Sequence, residues 1–306
     1  MQKNETSIQF GGVFIALLGA IMFSTKAVLV KYIYIFYEID PVTLLMLRML
    51  FALPFFMAIA IVSSRKKESY QITRKDYFQI IFLGILGFYL ASFFDFQGLT
   101  YITASLERLI LFTYPTIVVL IGVLYYKEKL KTPQLIALIL TYIGIAIVYA
   151  NNQSVTSQSD LMTGSFLVFC SAVTYAIYLV GSGQLVPRMG TWKFTSNVLI
   201  VSSLAVIVHY LIINQGIGNL NFPIQVYGLA LLMAIVSTVI PTLLFSEGIR
   251  LIGASNAAIV GSVGPISTIS LAYIFLDERL TLIQMLGGSV VIGGVLIISL
   301  QKKVEI

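Results

Sequence analysis

Among the ionisable side chains inside long apolar stretches of this sequence, five stand out: Lys26, Arg48, Asp95, Glu107 and Arg108. A charge at the centre of a hydrocarbon layer costs about 2.5–3.5 kcal/mol even on insertion scales, so each requires a partner, water or a task. Lys26 follows Ser24 and Thr25, whose hydroxyls can bond to the preceding helical turn. It is a candidate for substrate binding or coupling, or for a tie to a carboxylate. Asp95 and Arg48 read most simply as a buried or interfacial pair. Glu107 and Arg108 are adjacent, so on a helix they point about 100° apart, and one faces a cavity while the other faces a neighbouring helix. A buried Glu107 is also a candidate proton carrier. Tyr114, Tyr175 and Tyr178 add hydroxyls and ring faces that can line a cavity or simply pack. Together these cations and carboxylates suit a zwitterion or a weak acid better than a bare cation.

The elements that must position these groups are membrane spans. Of the 306 residues, 58% are apolar and only 10% are charged, against about 25% charged in soluble domains. Ten apolar stretches, near 11–36, 41–63, 77–97, 104–126, 132–150, 162–182, 193–213, 224–247, 254–276 and 281–300, approach the ~20 residues that cross a bilayer as a helix. Helix-start signals accompany several: Asp40-Pro41, Thr132-Pro133, and Thr281 with Gln284. The connections are short, which leaves no room for an appended soluble domain, and the first helix is expected to remain as an anchor. One cysteine, Cys170, and one histidine, His209, exclude a disulfide framework and a His-rich metal site. His209 is expected to be a packed or interfacial residue.

Residues 94–150 lie on residues 244–300 at a constant offset of 150 without a gap. Gly98 meets Gly248, Ala104-Ser105 meets Ala254-Ser255, Pro115 meets Pro265, Glu128 meets Glu278 and Gly144 meets Gly294. Two repeats follow, 11–150 and 161–300, each of five spans. Five is odd, so the second repeat must enter the membrane inverted. Lysine and arginine agree. With the N-terminus inside, the inner segments hold Lys3, Arg65, Lys66, Lys67, Arg74, Lys75, Lys127, Lys129, Lys131, Arg188, Lys193, Arg250, Lys302 and Lys303, while the outer loops hold Arg279 and little else. Both termini are therefore expected to be cytoplasmic. The net charge of +6 reports topology and contact with lipid headgroups, and gives no reason to propose nucleic acid.

A proline in the middle of the fourth and ninth spans (Tyr114-Pro115, Gly264-Pro265), a hinge carrying glutamate after each (Lys127-Glu128-Lys129, Asp277-Glu278-Arg279), and the five-plus-five arrangement resemble the EamA branch of the drug/metabolite transporter superfamily. The resemblance covers nearly the whole chain. It implies an all-α integral membrane protein of ten transmembrane helices in two inverted EamA-like repeats, located in the cytoplasmic membrane. It further implies a cavity lined by spans 1, 3, 4, 6, 8 and 9, with spans 5 and 10 peripheral. Members of that family export amino acids, nucleotide-like compounds and other small metabolites. Pro115 and Pro265 free a backbone carbonyl in matched positions and are hinge candidates. Under the offset, Glu107 and Arg108 fall on Ala257 and Ala258, and Asp95 on Phe245. The two halves are thus inequivalent where the charges lie.

The expected function is secondary transport of a small polar metabolite, an amino acid or related compound, by alternating access, with export favoured by the resemblance. A proton or ion is the expected coupling partner, and no cofactor or metal is called for. A channel or facilitator is the alternative. It would favour a continuous polar stripe, whereas these spans carry isolated charges. An integral-membrane lipid-handling enzyme would need a nucleophile with its base, or clustered histidines and carboxylates. No Gly-x-x-x-x-Gly-Lys-Ser/Thr string is present, so energy must come from a gradient. Glu247 and Arg250 read as a local interfacial pair. Gly287 and Gly294 form a small-residue face for close packing, within the protomer rather than in a dimer.

Overall fold

The computed structural model describes residues 2–65, 70–125, 127, 132–150, 157–218, 220–261 and 263–299. Glu128 and Lys129 of the first hinge lie outside the described residues, as do the side chains of Arg250, Ala254, Ser255, Ala257 and Ala258. The described elements are all helical: α1 (Gln2–Phe36), α2 (Pro41–Ser64), α3 (Arg74–Tyr101), α4 (Ala104–Leu111), α5 (Tyr114–Tyr125), α6 (Thr132–Ala150), α7 (Gln158–Met189) and α8 (Thr191–Ile213). They continue with α9 (Ile224–Ala234, a π-turn at Ile235–Val239, then Ile240–Gly261), α10 (Val263–Leu276) and α11 (Leu282–Ser299). Seven described helices are long and apolar enough to cross a membrane, and three shorter apolar ones, Thr132–Val148, Val263–Leu276 and Leu282–Gly294, complete the ten expected segments.

The local signals act as their chemistry requires. Asp40 accepts from Thr43 N at 2.9 Å with Pro41 opening α2, and Thr281 and Gln284 form a reciprocal capping box at 2.9 and 3.2 Å. The fourth span is two helices, because Pro115 has no N–H to continue the ladder. The chain turns at Phe112 and Thr113 and restarts at Tyr114, with Thr113 O accepting from Thr116 N at 2.9 Å and Thr116 Oγ1 at 2.7 Å. Pro265 stands likewise in the first turn of α10.

Two features differ from expectation. A π-turn interrupts α3 at Ile85–Leu90 and another interrupts α9 at Ile235–Val239, positions related by the same offset of 150. Helical backbone also runs through 248–253, where a connection was expected. The stretch Ile240–Gly261 is nevertheless not straight. A Cβ on Gly261 would lie 3.3 Å from the ring of Phe245, whereas sixteen residues of straight helix span about 24 Å. The eighth span therefore folds back into the ninth, as α3 does into α4.

The halves interleave. The third span of each packs against the first span of the other, through the matched glycines: a Cβ on Gly98 would stand 2.6 Å from Val168 Cγ2, and one on Gly248 2.6 Å from Ala16 Cβ. Gly144 faces Gly287, and Gly294 faces Thr141 and Ala137, so the small-residue face of α11 is covered by α6 within the protomer. His209 packs between the rings of Tyr89 and Phe93, 5.5 and 5.2 Å from their centroids.

Candidate functional site

Lys26 on α1 reaches Asp95 on α3, its Nζ 2.5 Å from Oδ2, and lies 3.7 Å from Glu107 Oε1 on α4. The two carboxylates are buried, at 1% and 0% side-chain exposure, while Lys26 retains 15%. Cation and carboxylates therefore meet inside the helix bundle, with the Lys26 side chain the least buried of the three. Short connection 102–103 between α3 and α4 puts Asp95 within hydrogen-bonding reach of Glu107. Asp95 Oδ1 and both Glu107 oxygens have no hydrogen-bond partner among the described residues. Ionised carboxylates can only accept, so a proton on either would supply the missing donor between them.

Ser24 and Thr25 anchor the same stretch of α1. Ser24 Oγ donates to Ala20 O at 2.8 Å and lies 3.0 Å from Gly264 O at the start of α10. Thr268 Oγ1 returns a bond to Ser24 O at 3.2 Å, and Thr25 Oγ1 pairs with Ser237 Oγ of the α9 π-turn at 2.7 Å. The Lys26 neighbourhood is thus framed by both repeats.

Glu107 and Arg108 part company as adjacent helical residues must. Glu107 turns to Lys26 and Asp95, while the Arg108 guanidinium lies against Gly264, where a Cβ would meet Nη2 at 2.7 Å. Arg108 is also within electrostatic reach of the Tyr114 and Tyr175 hydroxyls. Those rings join Tyr178 in one aromatic group. Tyr114 and Tyr175 meet edge-on at 5.1 Å, Tyr175 stacks on Tyr178 at 5.8 Å, and Phe88, Phe112 and Phe194 surround them.

Arg48 flanks this arrangement, within electrostatic reach of Asp95 but without a close ion pair to it. Its Nε donates to Thr238 Oγ1 at 2.8 Å and its guanidinium lies over the Phe96 ring at 5.4 Å. The close ion pair of Asp95 is made by Lys26 rather than by the expected Arg48, whose Nε is engaged by Thr238 on the π-turn. Pro115 and Pro265 stand in the first turns of α5 and α10 and make none of the ion pairs of the charge cluster.

Sequence reasoning missed Ser237, Thr238, Lys31 and the contacts of Glu278. Lys31 Nζ donates to Leu99 O at 2.9 Å. Glu278 accepts from Ala104 N, Ser105 N and Ser105 Oγ at 2.8, 3.0 and 2.6 Å. The signal for the last was present in the repeat, where Glu128 with Ala254-Ser255 duplicates Glu278 with Ala104-Ser105.

Interleaved apolar helices around a buried, membrane-embedded charge cluster define a multi-pass transport protein, and comparison with known proteins gives the same class. The sequence profile of the EamA-like transporter family matches residues 10–150 and 162–300, and the chain belongs to that family. It is 30% identical over 281 residues to the uncharacterized transporter YcbK of Bacillus subtilis (strain 168), covering 90% of this chain and 88% of that protein. It is 22% identical to the uncharacterized inner membrane transporter YicL of Salmonella typhimurium (strain LT2), covering 95% of this chain and 96% of the other. A solved crystal structure superposes with a TM-score of 0.64 over 94% of this chain and 95% of its own, at 14% identity, a likeness of fold alone. The protein is a membrane transporter and not an enzyme.

Proposed function

We infer that this transporter is a secondary carrier that moves a small polar metabolite by alternating access, with Lys26, Asp95 and Glu107 as its binding and coupling centre. The observation that carries this reading is the placement of one ammonium between two buried carboxylates, beside groups from both repeats. In the resting arrangement Lys26 satisfies Asp95, and Glu107 is the group left over. A substrate carboxylate that draws Lys26 away leaves Asp95 and Glu107 as two buried acids that must share a proton. A substrate amine takes the place of that proton instead. Either exchange links substrate to proton without a nucleotide, and a zwitterion such as an amino acid satisfies both. Arg108, within electrostatic reach of both Glu107 and the tyrosine group, suits the remainder of such a molecule.

The repeats 11–150 and 161–300 act as the two moving halves, with Pro115 and Pro265 as hinges. With both termini cytoplasmic, the 98–103 and 277–281 ends face the outside, and export is the working direction. The test is transport in proteoliposomes under an imposed pH gradient. Wild type should move substrate against its gradient when protons flow the other way. Glu107→Gln should retain its fold yet lose gradient-driven transport, and an unchanged rate and pH profile in that variant would refute the proton role.

A further inference from the structure

The geometry points to Glu278 as a latch: bound to the first turn of α4, its carboxylate holds shut the 98–103 end of the transport path, and its release is a step of the cycle. This rests on the alternating-access reading above. The contact joins the two halves, since Glu278 follows α10 and its partners Ala104 and Ser105 open α4. Three donors converge on one carboxylate at the positive end of the helix, where an anion is favoured. Helix α4 already has a local cap, Thr103 Oγ1 accepting from Leu106 N at 3.2 Å. Glu278 is an added, long-range clasp.

Backbone geometry aims it. Asp277 takes the left-handed conformation at φ 51°, and Lys127, its equivalent at the offset of 150, does so at φ 57°. Aspartate tolerates that conformation and lysine seldom adopts it, so its recurrence at Lys127 marks a turn built into both halves. The sequence keeps Glu128, Ala254 and Ser255 in register with Glu278, Ala104 and Ser105, although it lets the charges at 95, 107 and 108 diverge. Duplication preserved the clasp residues while the centre specialised.

The latch is joined to the centre by short rigid segments. Helix α4 has eight residues and ends at the Phe112–Thr113 turn, so Glu107 and Ala104 move together, about 4.5 Å apart along the axis. On α1, Lys31 lies about 7.5 Å beyond Lys26; it donates to Leu99 O at 2.9 Å and is within electrostatic reach of Glu278. Helix α4, which carries Glu107, thus holds the latch directly, and α1, which carries Lys26, reaches it through Lys31. When Glu107 changes partner, the shift of α4 is delivered directly to Ala104 and Ser105.

Spin labels at Thr100 and Arg279, both exposed, introduced as cysteines in a Cys170→Ser background, read the separation of the two sides in nanodiscs. Glu278→Gln should raise the ratio of long to short distances by about tenfold, the order expected for losing a charged hydrogen-bond set. Ser105→Ala, which removes one donor, should raise it less, and decides the matter alone if Glu278→Gln does not fold. A distance distribution that stays as in the parent, with counterflow by the parent intact, overturns the latch even if the unfolding temperature falls. Absence of counterflow in the parent would overturn the carrier reading instead.

Discussion

Lys26 holds Asp95 at 2.5 Å in a place where Asp95 is 1% exposed, so removing the lysine strands a buried carboxylate. Lys26→Met should destabilise the folded protein by about 3 kcal/mol or more, because a buried ion left without its partner retains the desolvation cost. The double variant Lys26→Met with Asp95→Asn should regain most of that loss, since no buried charge remains at the pair. Transport should be absent from both. Unfolding midpoints in detergent, read beside transport, separate the structural from the functional role; a double variant as unstable as the single one would contradict the pairing. The short connection after the third span makes α3 and α4 antiparallel neighbours and so brings Asp95 within reach of Glu107 or Arg108, but the sequence does not say which of the two it meets. The choice of Lys26 over Arg48 as its partner was not legible either. Arg48 is engaged by Thr238, which lies 190 residues from it and reaches it only once α9 is placed.

At the scale of elements, the matched π-turns at Ile85–Leu90 and Ile235–Val239 set which side chains face inward near the membrane centre. Within the first, Gly87 passes so close to Tyr178 that a Cβ would overlap Tyr178 Cβ and Cγ. Gly87→Ala should therefore force α3 and α7 apart, at a cost of about 1–3 kcal/mol, and disturb the aromatic group that Tyr178 shares with Tyr175 and Tyr114. Gly183→Ala, on the same α7 with nothing within 4 Å, should be neutral or stabilise by about 0.5–1 kcal/mol. Equal unfolding midpoints for the two variants would show that the close approach carries no weight. Helix starts were legible because capping chemistry is local, as at Asp40 and Thr281. The π-turns were not, since a π-turn inserts a residue with no compositional mark. The place of the connection at 248–253 was legible, with Gly248 and Gly253 at its ends, but its helical backbone was not.

For the whole molecule, the offset of 150 read from the sequence recurs in the structure at the prolines, the π-turns, the left-handed residues 127 and 277, and the glycines at 98 and 248. What the offset could not convey is the interleaving of the halves, in which the third span of each lies on the first of the other. That arrangement makes a change in one repeat a change in its contacts with the other, the mechanical requirement for exposing one site to two sides in turn. Its most direct test is counterflow: proteoliposomes loaded with unlabelled substrate, identified by ligand-induced thermal stabilisation, and diluted into a trace of labelled substrate. A carrier with a single alternating site predicts transient accumulation of label above its equilibrium level, saturating with internal substrate and lost in Lys26→Met. Label that only equilibrates, at a rate proportional to concentration and indifferent to the internal load, would contradict alternating access and identify a channel.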